Sequence, residues 1–362
     1  MQLLGLNGKI FNMPNKLFWK GKKVFLTGHS GFKGSWMSLW LNSMEAEVKG
    51  YALNPITQKS LFELCKIESL IHSEINDIRD YESLHKSIND FMPDLVIHMA
   101  AQPLVRDSYL NPLDTFNINV IGTANILEIC RKTKSVKALL NVTTDKCYLN
   151  EEYGDPFKEE DKLGGHDPYS SSKACSELVT SSYLNSFYID QRIGLATARA
   201  GNVIGGGDWA KDRLVPDILK AHEEKEGLIL RNPRSTRPWQ HVLEPLNGYL
   251  MLMEALFESK EDFSGPWNFG PDLNDVITVE SLARKLSDCL GNIDITFKED
   301  NEMHESNTLS LNTDKAKRDL EWFPKLNINS ALKMVASWHD NFLNKADTRR
   351  LCLDQISEYE KL

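Results

Sequence analysis

Lys22-Lys23-Val24-Phe25-Leu26-Thr27 runs directly into Gly28-His29-Ser30-Gly31-Phe32-Lys33-Gly34, and Ser35-Trp36-Met37-Ser38-Leu39-Trp40-Leu41 follows. The first six residues read as a strand, the glycines as a tight turn, and the last seven as a helix with apolar residues at helical spacing. That order is what a dinucleotide site requires. Glycines let the backbone approach a pyrophosphate, and a helix N-terminus offers N–H groups and a positive dipole end. Gly28, Ser30, Gly31, Phe32, Lys33 and Gly34 are therefore the candidate cofactor turn. Trp36 and Trp40, four apart on the helix, read as core packing against a sheet rather than as a stacking platform.

Outward from this turn the alternation repeats to about residue 200, with apolar runs at Asp94 to Ala101, Ala138 to Thr143 and Ile193 to Ala198 separated by helical stretches such as Leu113 to Arg131. The spacing predicts an α/β fold, a doubly wound parallel sheet of Rossmann type. Asn111-Pro112 marks a helix start, and Gly122 and Ala124 permit close packing. Asp77 follows a probable third strand; it reads either as an acceptor for adenine, with Ile78 beside it, or as a surface turn aspartate. The expected division is a cofactor domain over 20–199 plus 238–264 and a smaller mixed α/β substrate domain over 200–237 plus 265–345. Residues 1–19 and 346–362 read as terminal extensions, and Met13 as an alternative start.

A second pair of segments carries the chemistry. Thr143-Thr144-Asp145-Lys146 is followed by Tyr169-Ser170-Ser171-Ser172-Lys173, with Asp167 and Pro168 suited to an N-cap and first helical position. Tyr169 and Lys173, at i and i+4, share one helix face. A phenol titrates near 10, and a neighbouring ammonium favours the phenolate, so the expectation is a Tyr169 moved towards neutrality as a base. The ordinary alternative is an exposed Tyr and Lys on a solvated face.

These segments, with His98-Met99-Ala100-Ala101, Asn119-Val120-Ile121-Gly122-Thr123, Arg199-Ala200-Gly201-Asn202-Val203, Arg237-Pro238-Trp239 and Trp267-Asn268-Phe269-Gly270, resemble the extended short-chain dehydrogenase/reductases over nearly the whole chain. The likeness is greatest to the nucleotide-sugar 4,6-dehydratases, on the branch that acts on CDP-glucose. It implies a redox-neutral lyase reaction: NAD takes hydride from sugar C4 as Tyr169 takes the hydroxyl proton, water leaves across C5 and C6, and the hydride returns to C6. It implies further that Thr144 bonds the C4 oxygen, that Lys173 also holds the nicotinamide ribose, and that Ala100, Ala101 and Asn119 line the cofactor. By the same likeness Arg106, Asn202, Arg213 and Arg237 meet the diphosphate end of the substrate, and the product feeds deoxysugar synthesis for lipopolysaccharide. Asp145 is the expected acid for the departing C6 hydroxyl, which requires burial to raise its pKa; the alternative is a turn residue closing the strand. Arg237 reads alternatively as a surface charge.

Two departures from the family pattern stand out. Lys146 occupies the position where the dTDP-glucose branch has a glutamate base. It acts either as a base, if desolvated or set beside Lys173, or as a cation stabilising the enolate. The end of the second strand, Val48-Lys49-Gly50-Tyr51-Ala52-Leu53, lacks the acidic partner for the cofactor ribose, so the expectation is loosely bound NAD, with Lys49 and Lys59 leaving NADP open. His304 stands where relatives place an arginine, which bears on base selection.

At 362 residues and 41% hydrophobic the chain suffices for two lobes. A net charge of −9 argues against nucleic acid or an anionic membrane as partner, so an anionic substrate must meet a local positive patch. The six cysteines lack paired or metal-type spacing and the nine histidines form no ligand cluster, so no metal is expected and the thiols suggest the cytoplasm. No membrane-spanning or signal-like stretch is evident. A homodimer or homotetramer pairing through Leu113 to Arg131 and Tyr169 to Tyr188 is implied by the resemblance alone. Two other readings remain: a UDP-sugar enzyme of the same family, such as a 4-epimerase, for which Asp145 would be superfluous, and a non-enzymatic NAD-binding sensor or scaffold.

Overall fold

The computed structural model describes residues 13–151, 154–189, 193–298 and 308–362. Seven parallel strands form the central sheet: β1 (Lys23–Thr27), β2 (Glu47–Ala52), β3 (His72–Ile75), β4 (Leu95–His98), β5 (Ala138–Val142), β6 (Gly194–Ala200) and β7 (Gly265–Phe269). Their order is β7-β6-β5-β4-β1-β2-β3. The doubly wound Rossmann sheet is thus borne out, and the strand order reverses between β1 and β4, where the crevice of such a sheet lies.

Central strands with both faces covered must be apolar on both. Accordingly β4 and β5 are buried along their whole lengths. One face packs on helix α1 (Phe32–Ser43), whose Trp36 and Trp40 are wholly buried, and on Leu246 and Leu250; the other packs on Leu84, Ile88, Ile126 and Leu127. The indole N–H groups of the two tryptophans donate to Gly206 O and to Glu360 Oε1, at 3.1 and 3.0 Å. They are core residues, not a platform.

Helix α2 (Pro168–Tyr183) begins as its sequence demands: Pro168 sits at its first position and the Asp167 carboxylate accepts from Ser170 N at 2.9 Å. The helical stretch from Pro112 to Lys132 contains a π-turn at Asn117–Ile121. At Gly122 a Cβ would lie 2.4 Å from Ile78 Cδ1, so the close packing expected there is present.

The second lobe has its own core, with Ile218, Leu230, Leu282, Leu286, Leu332 and Val335. Its strands Leu228–Arg231 and Ile295–Lys298 pair in parallel, and Thr236–Arg237 pairs antiparallel with Ile277–Thr278. Two expected boundaries shift. Gly265–Phe269 completes the central sheet beside β6 instead of opening the second lobe. The C-terminal segment is no extension: helix α3 (Thr348–Tyr359) buries Cys352, Ile356 and Tyr359 in the same core as α1.

Candidate active site

The glycine turn is built by close approach. Gly28 has φ 77°, and a Cβ there would sit 2.7 Å from Ala100 N; a Cβ on Gly34 would sit 2.0 Å from Gly28 O. Both clashes are with backbone, so only glycine fits. Gly31 is exposed, and no side chain caps α1 at that residue. Thr27 Oγ1 receives Met99 N and Ala100 N, both at 3.1 Å, tying the turn to the loop after β4. Ser30 Oγ donates to Leu53 O at 2.7 Å. An uncapped helix start beside an exposed glycine backbone fits the pyrophosphate of a dinucleotide.

Around this cradle the expected contacts separate. Ala100 lies against Gly28, with Ala101 next to it. Asn119 is buried with its amide engaged: Oδ1 accepts from Gln102 N at 2.9 Å, and Nδ2 donates to Gln102 O and Ser172 Oγ at 3.1 and 2.9 Å. It therefore fastens the loop after β4 to α2 instead of aiming at a ligand. The Asp77 carboxylate is gripped by the Arg79 guanidinium, down to 2.6 Å, and the Ile78 side chain turns into the core. At the ribose end, the imidazole of His29 is packed over Gly50, where a Cβ would lie 2.4 Å from the ring, and Nε2 meets Ser73 Oγ at 2.7 Å. Lys49 is paired with Glu74 at 3.0 Å and Lys59 with Glu223 at 2.7 Å. Neither lysine is left over for a 2′-phosphate.

Beyond β5 the chain forms a short turn in which Thr144 Oγ1 accepts from Lys146 N at 3.3 Å and donates to Asp145 Oδ1 at 3.0 Å. Asp145 is 1% exposed. Burial raises its pKa, opposed by the charges of Lys146 and Arg237 and by the Thr144 hydrogen bond. Its Oδ2 has no partner among the described residues and lies against Gly201, where a Cβ would come within 1.6 Å. Asp145 does stand in the turn that closes β5, as the alternative reading has it, and its carboxylate is nevertheless buried.

Tyr169 corrects the simplest expectation. It is buried, and burial pushes its phenol up to about 12, while the Thr144 hydroxyl and Arg213 pull the other way. Lys173, one turn on, directs its ammonium to Val142 O at 3.2 Å. Burial lowers Lys173 to about 8, with Glu177 opposing. The i, i+4 pair is on the helix as read, but burial outweighs any acidification by the lysine, and the surface-face alternative is excluded.

Thr144, Asp145, Lys146 and Tyr169 line one cavity of about 600 Å³ together with Phe32, Lys33, Arg106, Asn202, Arg213 and Arg237. Seven basic and five acidic side chains face it, so the acidic protein turns a positive balance to this space. Arg237 is 5% exposed and donates to Thr236 O at 2.8 Å, which rules out a mere surface charge. Arg213 pairs with Asp208 at 2.9 Å, and Arg106 stands 3.6 Å from Asp212. Asn202 adopts a φ of 39°. Removal from water, aided by Lys173 and Arg213, lowers Lys33 to about 7. His304 lies outside the described residues. Sequence reading assigned no role to Glu177, Arg199 or Gly201. Gly201 and Arg199 sit inside a quoted motif, yet only the folded chain reveals that Gly201 makes room for Asp145.

Residues 25–335 match the family model described as GDP-mannose 4,6 dehydratase. The chain belongs to this family. It is 48% identical over 354 residues to CDP-glucose 4,6-dehydratase of Salmonella typhimurium, covering 96% of this chain and 98% of that one. Among solved structures it is similar to dTDP-glucose 4,6-dehydratase from Streptomyces venezuelae, determined with NAD bound, at 21% identity and a TM-score of 0.76 over 90% of this chain and 99% of that one. UDP-glucose 4-epimerase from Thermotoga maritima aligns at 21% identity with a TM-score of 0.78, over 89% and 99%. At such identities these two structures establish the shared fold.

Proposed function

We propose that the protein is an NAD-dependent CDP-glucose 4,6-dehydratase, converting CDP-glucose to CDP-4-keto-6-deoxyglucose and water. The observation that carries this reading is the buried Asp145, kept towards its protonated form, in the same cavity as Tyr169. A 4-epimerase has a hydroxyl proton to move but no hydroxyl to expel. An acid beside the base is what elimination adds.

In this reading the glycine turn and the start of α1 hold the dinucleotide, which when bound in its oxidised form would supply a hydride acceptor and a positive charge. Tyr169 Oη takes the C4 hydroxyl proton while Thr144 Oγ1 orients that oxygen. With its phenol pushed up to about 12, Tyr169 needs positive charge nearby to act at neutral pH, and Arg213 is the group of this chain whose charge favours the phenolate. Asp145 protonates the departing C6 hydroxyl. Lys146, in the cavity wall beside Asp145, takes the C5 proton, and the ammonium so formed stabilises the enolate next to the C4 ketone. Arg106, Arg213, Arg237 and Asn202 bind the diphosphate end.

The same reading favours NAD over NADP, since Lys49 and Lys59 are ion-paired, and a dimer across the surface where Leu113 and Leu178 are 79% and 57% exposed. No helix among the described residues is long and apolar enough to cross a membrane. A cytoplasmic place in deoxysugar supply for lipopolysaccharide suits a nucleotide-sugar substrate and six unpaired cysteines. The decisive experiment incubates the pure protein with NAD and CDP-, dTDP-, UDP- and GDP-glucose in parallel. Mass loss of one water with a 4-keto product from the CDP-sugar alone supports the reading; isomerisation without mass loss overturns it.

A further inference from the structure

Glu177 lies one helical turn beyond Lys173 and two beyond Tyr169, on the same face of α2. It is 3% exposed and holds three donors: Thr143 Oγ1, Thr197 Oγ1 at 2.7 Å and Arg199 Nη2 at 2.8 Å. Arg199, 2% exposed, extends the network, its Nη1 donating to Tyr148 Oη at 2.7 Å and to Glu159 O at 3.0 Å. Tyr148 Oη in turn donates to Asn268 Oδ1 at 2.7 Å on β7. Charges this deep cost more to desolvate than an apolar pair of equal volume, so the fold alone gives little reason for them.

What the network does is apparent from the residues it grips. Thr143 immediately precedes the Thr144–Asp145–Lys146 turn and Tyr148 closely follows it, so the turn is tethered at both ends. The helix bearing Tyr169 meets the same strand end at two successive residues, through Lys173 Nζ on Val142 O and through Glu177 on Thr143. We propose that Glu177 is a positioning residue that fixes the Asp145 turn against the Tyr169 and Lys173 face of α2, so that proton abstraction at one end of the sugar and water expulsion at the other are held in register. This rests on the dehydratase reading for its catalytic consequence, though not for its mechanics. Reactive geometry tolerates little slack, and a displacement of about 1 Å at such a turn can cost two orders of magnitude in rate.

The test acts on the tether rather than on the charges. Thr143→Val keeps the volume and deletes the hydroxyl, leaving Glu177 with Arg199 and Thr197; Thr143→Ser keeps the hydroxyl and deletes a methyl. On CDP-glucose with saturating NAD, the Val variant should lose roughly tenfold in kcat, the worth of one buried hydrogen bond to a charged group, with KM unchanged. The Ser variant should recover wild-type kcat. Amide hydrogen exchange over residues 144–148, which needs no substrate, should quicken in the Val variant and return to normal in the Ser variant. A packing role predicts the reverse order, with Val normal and Ser impaired, and that result overturns the proposal. If the wild-type protein fails to dehydrate CDP-glucose, the functional reading fails by itself, and unchanged exchange in the Val variant would still refute the positioning role.

Discussion

Asp145 and Tyr169 are both pushed towards their neutral forms by burial, yet the reaction needs that only of Asp145. The asymmetry is chemical: an acid must arrive with its proton, whereas a base must be able to lose one. Tyr169→Phe removes the atom that accepts the C4 proton and should lower turnover by about 10²–10⁴-fold, with NAD binding, followed by fluorescence quenching, unaffected. Lys146 separates the steps. Lys146→Ala should still let the sugar reduce NAD, because Tyr169, Thr144 and Lys173 remain, but should stall before water leaves. Reduced nicotinamide would then accumulate, visible by its absorbance during a single turnover. Wild-type turnover in this variant would remove Lys146 from the mechanism.

Among the elements, β1, the glycine turn and α1 were legible, except that the helix starts at Phe32 and not Ser35, because strand periodicity, glycine spacing and helical periodicity are all local and agree. Gly34→Ala tests that element directly: the new Cβ would stand 2.0 Å from Gly28 O, so the turn must open. NAD affinity should fall at least tenfold, or about 1.4 kcal/mol, by titration, while circular dichroism stays native. What was not legible is non-local. Gly265-Pro266-Trp267-Asn268-Phe269 begins with turn-forming residues, and only its place on the sheet edge, where a missing N–H is tolerated, makes it a strand. The packing of Thr348–Tyr359 on α1 joins opposite ends of the sequence and has no local signature, which is why the segment read as an extension. In the site, the i, i+4 spacing of Tyr169 and Lys173 was readable, but burial depth and the capture of the ammonium by Val142 O were not. The missing acidic residue at the end of β2 was readable too, while the His29 ring over Gly50 emerged only from the fold. With no carboxylate for the ribose, the protein should purify largely free of NAD; one mole of nucleotide extracted per mole of denatured protein would contradict that.

At the scale of the whole molecule, one carboxylate joins three distant parts of the chain. Glu244, fully buried on the helix Leu243–Glu258 that covers the sheet, accepts from Lys325 N and Leu326 N at 3.0 and 2.7 Å and from Tyr359 Oη at 2.9 Å. It thereby ties the second lobe's return and the C-terminal helix to the Rossmann layer. No cation among the described residues bonds its oxygens, and burial prevails over the three donors and the more distant charge of Lys325, pushing its pKa from 4.5 up to about 7. A carboxyl raised on folding binds its proton more tightly in the native state, so its contribution is complete below pH 4.5 and is lost as pH rises through about 7. The melting temperature of the wild-type protein should therefore fall across that window by more than its Glu244→Gln variant's does. The amide keeps an oxygen for the backbone donors but has nothing to ionise. Loss of the acid-side advantage in the variant, measured by calorimetry at matched ionic strength, would assign the slope to this junction; an identical slope in both proteins would place its origin elsewhere.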